Sequence, residues 1–456
     1  MAKGLIPYSG FSEEILKYFY SPNLIFKNSG DEFLNLYCFI AKVDPWPDEL
    51  NPPNPSNSDY YLKSVVKNLI ALKKINTNDI CPVIKRIDWK QNTIYKQYSS
   101  TSSANIDYYV RNSYDQIFKC LSNGTANNSS TGSLTQKQPI IDFTTNFIDN
   151  IIDTGDGYKW KYLYTIDSGS KLKFFDENWI PLPVDTHRKS IQANSIGAGE
   201  VSVINVYNGG TGYTNDEGYN TSTTINISGD GTGATAKAII RSNTVTDIIM
   251  TNNGTGYTYA AASIIPNIGY SGTGAQLIAE PSPIGGHGHN LLNELGCKNV
   301  MVTAEFNGTE TGTLPSDIDY RQIGLITNPE ILINSQAVFA NSTIYKATHD
   351  ITVSQGSGTY QQDEFVYQGS AENPTFSGTV LNFDSKNNVL YLINTQGTVT
   401  LYQGIYGSNS NTSRVLLQEF IEQMIPFSGN IIYIENRAKI QRTSSGLEQF
   451  RLTLNY

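Results

Sequence analysis

Asp153-Thr154-Gly155-Asp156-Gly157, running straight into Tyr158-Lys159-Trp160-Lys161-Tyr162-Leu163-Tyr164-Thr165-Ile166, is the stretch whose reading decides the fold. Two glycines and two aspartates in five residues are turn chemistry, because glycine reaches positive φ without strain and aspartate caps neighbouring backbone amides. In the residues that follow, Tyr158, Trp160, Tyr162, Tyr164 and Ile166 share one parity, and Lys159, Lys161 and Thr165 the other. A period of two belongs to a strand and to no helix. The segment predicts a β-strand with one aromatic face, packed on a second layer or on another subunit. It holds no nucleophile, base or ligand cluster.

The rest of the chain has the same character. Charged residues make up 16% of its 456 positions, against 29 tyrosines and 38 glycines, a composition that favours strands and turns over salt-bridged helices. The length suffices for several cores. A formal charge of -9 and a pI near 5.1 speak against a surface for phosphate backbones, so nucleic acid is not an expected partner. Cys38, Cys81, Cys120 and Cys297 form no CxxC and have no histidine at ligand spacing; they predict reduced core residues. No apolar run has the length of a signal peptide or a membrane span, so the expectation is a chain made and kept in a cytoplasm, without a membrane partner.

In chain order, Ser12-Glu13-Glu14 ahead of Ile15, Leu16 and Phe19 predicts a short capped helix. Glu32 to Val43 predicts a buried apolar strand, and Asp44-Pro-Trp46-Pro47 with Asn51-Pro-Pro-Asn-Pro55 a stiff, extended, exposed loop. From Ser58 to Ile75, Leu62, Val65, Val66, Leu69 and Ile70 recur at helical spacing, which predicts one amphipathic helix. Cys81 to Trp89 and Tyr108 to Leu121 predict strands, and Ser122 to Gly132 a polar loop.

Between about Val201 and Ala279 the sequence repeats itself. Gly210-Thr-Gly-Tyr213 returns as Gly254-Thr-Gly-Tyr257, 44 positions on, and Gly231-Thr-Gly-Ala234 as Gly272-Thr-Gly-Ala275, 41 on. Each copy predicts one supersecondary unit, the two together a small β-module. A second module is expected from about Tyr360 to Leu416, where Phe365-Val-Tyr-Gln-Gly369 and Leu401-Tyr-Gln-Gly404 flank a hairpin with the loop Asp384 to Asn388. The expected fold is therefore mainly β with a few short helices, a multi-layer β-sandwich core carrying two inserted small β-modules. Its expected parts are a core at 1–194, 283–339 and 419–456, a glycine-tyrosine module at 195–282 and a barrel-like module at 340–418.

Signals for chemistry are sparse. The glycine runs lead into strands, whereas a phosphate loop must open a helix whose free amides face the anion. His287 and His289 are the one paired metal-ligand candidate, since alternate positions on a strand point the same way; two imidazoles fall short of a site, and no metal or other cofactor is expected. His187 and His349 have no evident partner, and Asp153 and Asp156 lack the further oxygen ligands of a calcium loop. Without a nucleophile elbow or converging carboxylates, the chain is not expected to be an enzyme.

Asp44-Pro-Trp46, Arg86-Ile-Asp88-Trp89, Gly155-Asp-Gly-Tyr158 with Trp160 and Tyr162-Leu163, Arg321-Gln-Ile323 with Thr327-Asn-Pro329, and Ser428-Gly429 with Tyr433 and Glu435-Asn-Arg437 form an ordered set. In order and spacing this set resembles the gene-eight baseplate wedge proteins of T-even-type contractile-tailed bacteriophages, over about two-thirds of the chain, the two modules excepted. The resemblance implies a mostly β, non-catalytic structural subunit of the virion that forms a homodimer, contacts other wedge proteins and is assembled in the bacterial cytoplasm. On that reading the interface anchors are expected among Trp46, Trp89, Tyr158, Trp160, Tyr162, Arg321 and Arg437, because aromatic and arginine side chains dominate interface energetics. The competing expectation is a carbohydrate-binding adhesin, which requires exposed aromatics.

Overall fold

The computed structural model describes residues 3–5, 35–101, 106–124, 132–142, 151–184, 189–191, 199–308 and 314–455. The predicted helix at Ser12 to Phe19, the start of the strand at Glu32, most of the loop at Ser122 to Gly132 and His187 lie outside the described residues. The chain is mainly β, with several sheets, a closed barrel and a few short helices. It divides into two compact units, Met1–Ile80 with Val302–Tyr456, and Cys81–Met301.

The first unit is built on an antiparallel sheet in the order Lys3–Leu5, Asn430–Arg442, Ile318–Thr327, Leu36–Ala41, Leu69–Lys74, Ile344–Lys346. All six residues of Leu36–Ala41 and all ten of Ile318–Thr327 are buried, as strands covered on both faces must be. Gly324 is required at the centre: a Cβ there would stand 2.3 Å from Cζ of Phe39 and 2.4 Å from the Tyr433 carbonyl oxygen. The helix predicted from Ser58 to Ile75 covers only Asp59–Lys67, capped by the Ser58 hydroxyl, which accepts from the Tyr61 amide. Beyond it Leu69, Ile70, Ala71 and Leu72 are all buried. A helix of this kind buries one stripe, so four consecutive apolar residues are better served by a sheet strand.

His349–Val353, Val389–Gly397, Pro374–Asp384, Phe365–Gly369, Gly404–Gly407 and Ser413–Phe420 close a six-stranded barrel in the same unit. Ile351, Val366, Phe376, Val380, Leu390, Leu392, Ile405 and Leu416 fill it. Its hairpin loop is set by Asp384, whose carboxylate accepts from the amides of Lys386 and Asn387.

In the second unit the opening stretch forms the turn its composition demands. Gly155 and Gly157 take φ of 73° and 95°. The Asp153 carboxylate accepts from the Gly155 amide at 2.8 Å, and that of Asp156 from the amides of Gln136, Lys137 and Tyr158. Burial works to raise the Asp156 pKa, but the Thr154 hydroxyl and these amides hold it below the ordinary aspartate value. Tyr158–Thr165 then pairs with Gln116–Asn123 and Ile151–Asp153. The single aromatic face is corrected by a bulge: Tyr164 stands opposite Ile117 and Tyr162 opposite Phe118, so Leu163 is an extra residue and the parity changes sides. Tyr158, Trp160 and Tyr162 accordingly pack in one cluster, with Phe118, Tyr95 and Tyr98, and Leu163, Tyr164 and Ile166 in another, with Tyr109, Ile117 and Leu291. The strand predicted at Tyr108 to Leu121 is also two, Tyr109–Arg111 and Gln116–Asn123, because Asn112 turns the chain by accepting from the amides of Tyr114 and Gln116.

The repeat forms two sheets that share a core: Val201–Thr211, Thr273–Pro281, Ala260–Pro266 and Thr223–Gly229 in one, Asp216–Glu217, Thr232–Arg241 and Thr244–Thr255 in the other. The copies exchange their key contact. The Tyr213 ring of the first covers Gly272 of the second, and Tyr257 of the second covers Gly231 of the first; a Cβ at either glycine would lie 2.2–2.4 Å from ring carbons. Here the compact units depart from the expected boundaries. Residues 201–281 belong with 81–184, since Val203 packs among Tyr98, Phe118 and Trp160, and the Asn205 side chain donates to the Leu121 carbonyl at 3.1 Å.

Candidate interface and buried ion networks

In the first unit the proline-framed loop is pinned by two distant strands, Ile318–Thr327 and Asn430–Arg442. Arg321 Nε donates to Glu49 Oε1 at 2.7 Å, and Glu49 Oε2 accepts from the Lys439 amide at 2.9 Å. Trp46 Nε1 donates to the Arg437 carbonyl at 2.8 Å. Deeper in, Asp319 takes both Lys42 and Arg321, the latter at 2.7 Å. Asn436 gathers the Tyr61 hydroxyl, the Gln322 amide and, through its own amide, the Pro53 carbonyl. Burial opposes ionisation of Glu49 and Asp319, yet Arg321, with Lys42 at Asp319 and the Lys439 amide at Glu49, lowers both pKa values. What remains outside this frame is Asp44, Pro45, Pro47, Asp48 and Leu50, which are exposed, Leu50 to 86%. A loop stiffened by prolines and bolted at its base loses little entropy on docking.

Of the seven expected anchors, Tyr158 and Trp160 are wholly buried and Arg321 is 3% exposed, so these three are corrected to core residues of their own chain. Their physical reason is local. Tyr158 stacks on Trp160 with ring centroids 5.3 Å apart and donates its hydroxyl to the Ser133 carbonyl, and Arg321 is held by two carboxylates. Trp46, Trp89, Tyr162 and Arg437 are half-buried. Tyr162 packs edge-on against Phe118, and the Arg437 guanidinium pairs with Glu435 at 2.9 Å.

In the second unit, Arg86-Ile-Asp88-Trp89 belongs to a chain of charges. Asp88 accepts from Arg86 and Arg111, Arg111 reaches Asp115 at 2.6 Å, and Asp115 takes Lys171 at 2.7 Å, with both guanidinium groups lying over the Phe175 ring. Burial raises the Asp88 pKa less than Arg86 and Arg111 lower it.

His287 and His289 do not form the expected pair. Both sit in glycine-rich turns instead of on a strand; His287 is 6% exposed and His289 exposed, and among the described residues no group of three His, Cys, Asp or Glu side chains is placed to hold a metal. His287 instead meets residues that sequence reasoning missed. Its Nδ1 lies 3.0 Å from both Lys119 Nζ and Glu294 Oε1, its Nε2 3.1 Å from Ser202 Oγ, and Lys119 Nζ is 2.7 Å from Glu294 Oε1. The Tyr98 ring covers the ammonium at 3.5 Å. The signal was there in Phe118-Lys119-Cys120-Leu121, a lysine inside an apolar strand, which must bring its counter-ion with it. Burial and the Lys119 ammonium push His287 down to about 4, while Lys119 and His287 overcome burial to hold Glu294 at about 2. Ser202, His287 and Glu294 stand in the contact order of a hydrolytic triad, but each is 6–8% exposed, and the ammonium crowds the edge of the imidazole that the acid must orient. The arrangement ties a loop, a helix and two strands together.

Among the described residues no helix is long and apolar enough to cross a membrane. No protein-family model matches the chain, and no curated protein matches it significantly in sequence.

Proposed function

We propose that this chain is a structural subunit of the baseplate wedge of a contractile-tailed bacteriophage, acting as a homodimer through protein-protein contacts in the virion and not by turnover. The observation that supports this reading is the meeting of the motifs that carry the resemblance. Asp44-Pro-Trp46, Arg321-Gln-Ile323 and Glu435-Asn-Arg437 lie hundreds of positions apart, yet Trp46 bonds to Arg437, Gln322 to Asn436, and Arg321 reaches Glu49 of the same loop. Thr327-Asn-Pro329 and Ser428-Gly429 meet as well, since a Cβ on Gly429 would come 2.7 Å from the Thr327 carbonyl oxygen. Residues that share a structural task in this way define a scaffold, and the scaffold's product is the rigid loop it presents.

The test is co-expression with the remaining tail proteins of the same phage, followed by gradient sedimentation. The chain is expected to co-sediment with wedge assemblies and to be found by mass spectrometry in purified tails. Leu50→Asp, on the exposed tip, is expected to reduce co-sedimentation while leaving the melting temperature unchanged. Trp46→Ala is expected to lower both, because its indole is bonded into the frame. Absence of the chain from purified tails would overturn the proposal.

A further inference from the structure

The barrel carries on its outer wall a feature that the scaffold role does not use. Along Phe365–Gly369, Val366 and Gln368 are fully buried and point inward, so Phe365, 40% exposed, and Tyr367 point outward. Tyr367 is the register partner of Tyr406, which is 42% exposed, on the next strand. The rings are nearly parallel: Phe365 and Tyr367 are inclined by 22° with centroids 6.0 Å apart, Tyr367 and Tyr406 by 29° at 5.7 Å. The Tyr406 ring also lies down on the wall. A Cβ at Gly404 would be 3.0 Å from the Tyr406 hydroxyl oxygen and 3.1 Å from its Cζ, so the ring covers that glycine, with its other side turned outward. The two tyrosines belong to one register row that runs across five strands, Gln396, Ser377, Tyr367, Tyr406 and Ser413. No member of that row is a carboxylate, an amine, a guanidinium or an imidazole.

The geometry points to a platform for a neutral polysaccharide chain, whose sugar rings stack on Phe365, Tyr367 and Tyr406 while the flanking amide and hydroxyl side chains meet their hydroxyls. The chemistry of both partners argues for this occupant. A pyranose offers an apolar C–H face and a rim of hydroxyls, which is matched by flat aromatic faces bordered by Gln396 and Ser413, both exposed. Walls of small β-barrels serve this purpose for oligosaccharides elsewhere. Single-stranded nucleic acid also stacks on aromatic rings, but it needs a cationic track along its phosphates. An uncharged row on a chain of formal charge -9 is the opposite of that. The inference does not depend on the wedge assignment, and a virion subunit or an unrelated adhesin would carry the platform equally.

The experiment is saturation-transfer NMR with calorimetry on the full chain, using cellohexaose, maltohexaose and chitohexaose as neutral probes and oligothymidine as the anionic one. At least one sugar is expected to bind, with transfer strongest to its axial ring protons, and oligothymidine is not. Because the three side chains lie outside the barrel core, Phe365→Ala/Tyr367→Ala/Tyr406→Ala is expected to keep its circular dichroism and to weaken binding by at least about tenfold. Should that variant fail to fold, Tyr406→Leu, which keeps apolar bulk over Gly404 and removes the ring, is expected to weaken binding in the same direction. Four results would overturn the inference: no transfer to any sugar at millimolar concentration, undiminished binding by the folded variants, binding of oligothymidine in place of sugar, or a change of oligomeric state in the variants without sugar binding.

Discussion

Acid should loosen the second unit through His287, and the size of the effect follows from the site. The unfolded chain binds a proton at an imidazole of pKa about 6.5, the folded one only near 4, because the ring is enclosed and faces the Lys119 ammonium. Between those values the unfolded state holds more protons, so the stabilisation is complete above pH 6.5 and is lost as pH falls toward 4. Over the whole interval this amounts to about 3 kcal/mol, and by pH 5 to about 2 kcal/mol. Two carboxylates nearby act elsewhere or oppositely. Glu294, held at about 2, loses its contribution below the ordinary glutamate range, and Glu280, whose pKa burial raises, favours the folded state as acid is added. A comparison with His287→Gln isolates the imidazole over this window, since Glu280 is untouched and Glu294, still paired with Lys119, titrates below it. Urea unfolding at pH 7 and pH 5, read by hydrogen exchange in peptides from Gln116–Asn123, is expected to show wild type losing about 2 kcal/mol more than the variant. Equal losses in the two proteins would refute the reasoning, as would a His287 resonance titrating near 6.5.

Two further outcomes are expected from packing. Lys119→Met should cost about 3–5 kcal/mol by leaving Glu294 buried without its cation, and much of that should return in Lys119→Met/Glu294→Gln; a single variant that melts like wild type would show the pair to be idle. Gly272→Ala places a methyl 2.2 Å from the Tyr213 ring and should cost about 1–3 kcal/mol beyond Gly269→Ala, whose methyl meets nothing within 4 Å; equal melting of the two would detach the glycine-tyrosine exchange from stability.

What the sequence made legible is what local chemistry decides. The Asp153 to Gly157 turn, the strand after it and the hairpin at Asp384 all rest on residues acting on their neighbours, and each appears where its residues placed it. What stayed illegible depends on a partner strand. The Leu163 bulge exists only against Ile117 and Phe118, and nothing in Tyr158 to Ile166 announces it. Likewise Leu69 and Ile70 fit a helical period as well as a strand, and the choice fell to Leu36–Ala41, which supplies the hydrogen bonds. The unit boundary at Ile80 is invisible for the same reason, because Val203 and Asn205 commit the repeat to its neighbours through contacts that leave no trace in composition.

Residue type proved a poor guide to the surface for a related cause. Residue type marks Tyr158, Trp160 and Arg321 as anchors because aromatics and arginine dominate interfaces, but the same large side chains dominate cores, and type alone does not separate the two. Partners do. Each of these three is engaged by its own chain, Tyr158 through its hydroxyl and ring and Arg321 by two carboxylates, whereas Leu50 at 86% exposure has only its backbone amide tied. The barrel shows the converse. Phe365-Val-Tyr-Gln-Gly369 and Leu401-Tyr-Gln-Gly404 share a Tyr-Gln-Gly that aligns Tyr402 with Tyr367. Closure of the barrel sets a different register, in which Tyr402 falls in a turn and Tyr406 stands beside Tyr367. A surface made by register is therefore found by pairing strands, and the rings worth mutating are those whose neighbours across the ladder leave one side of them uncovered.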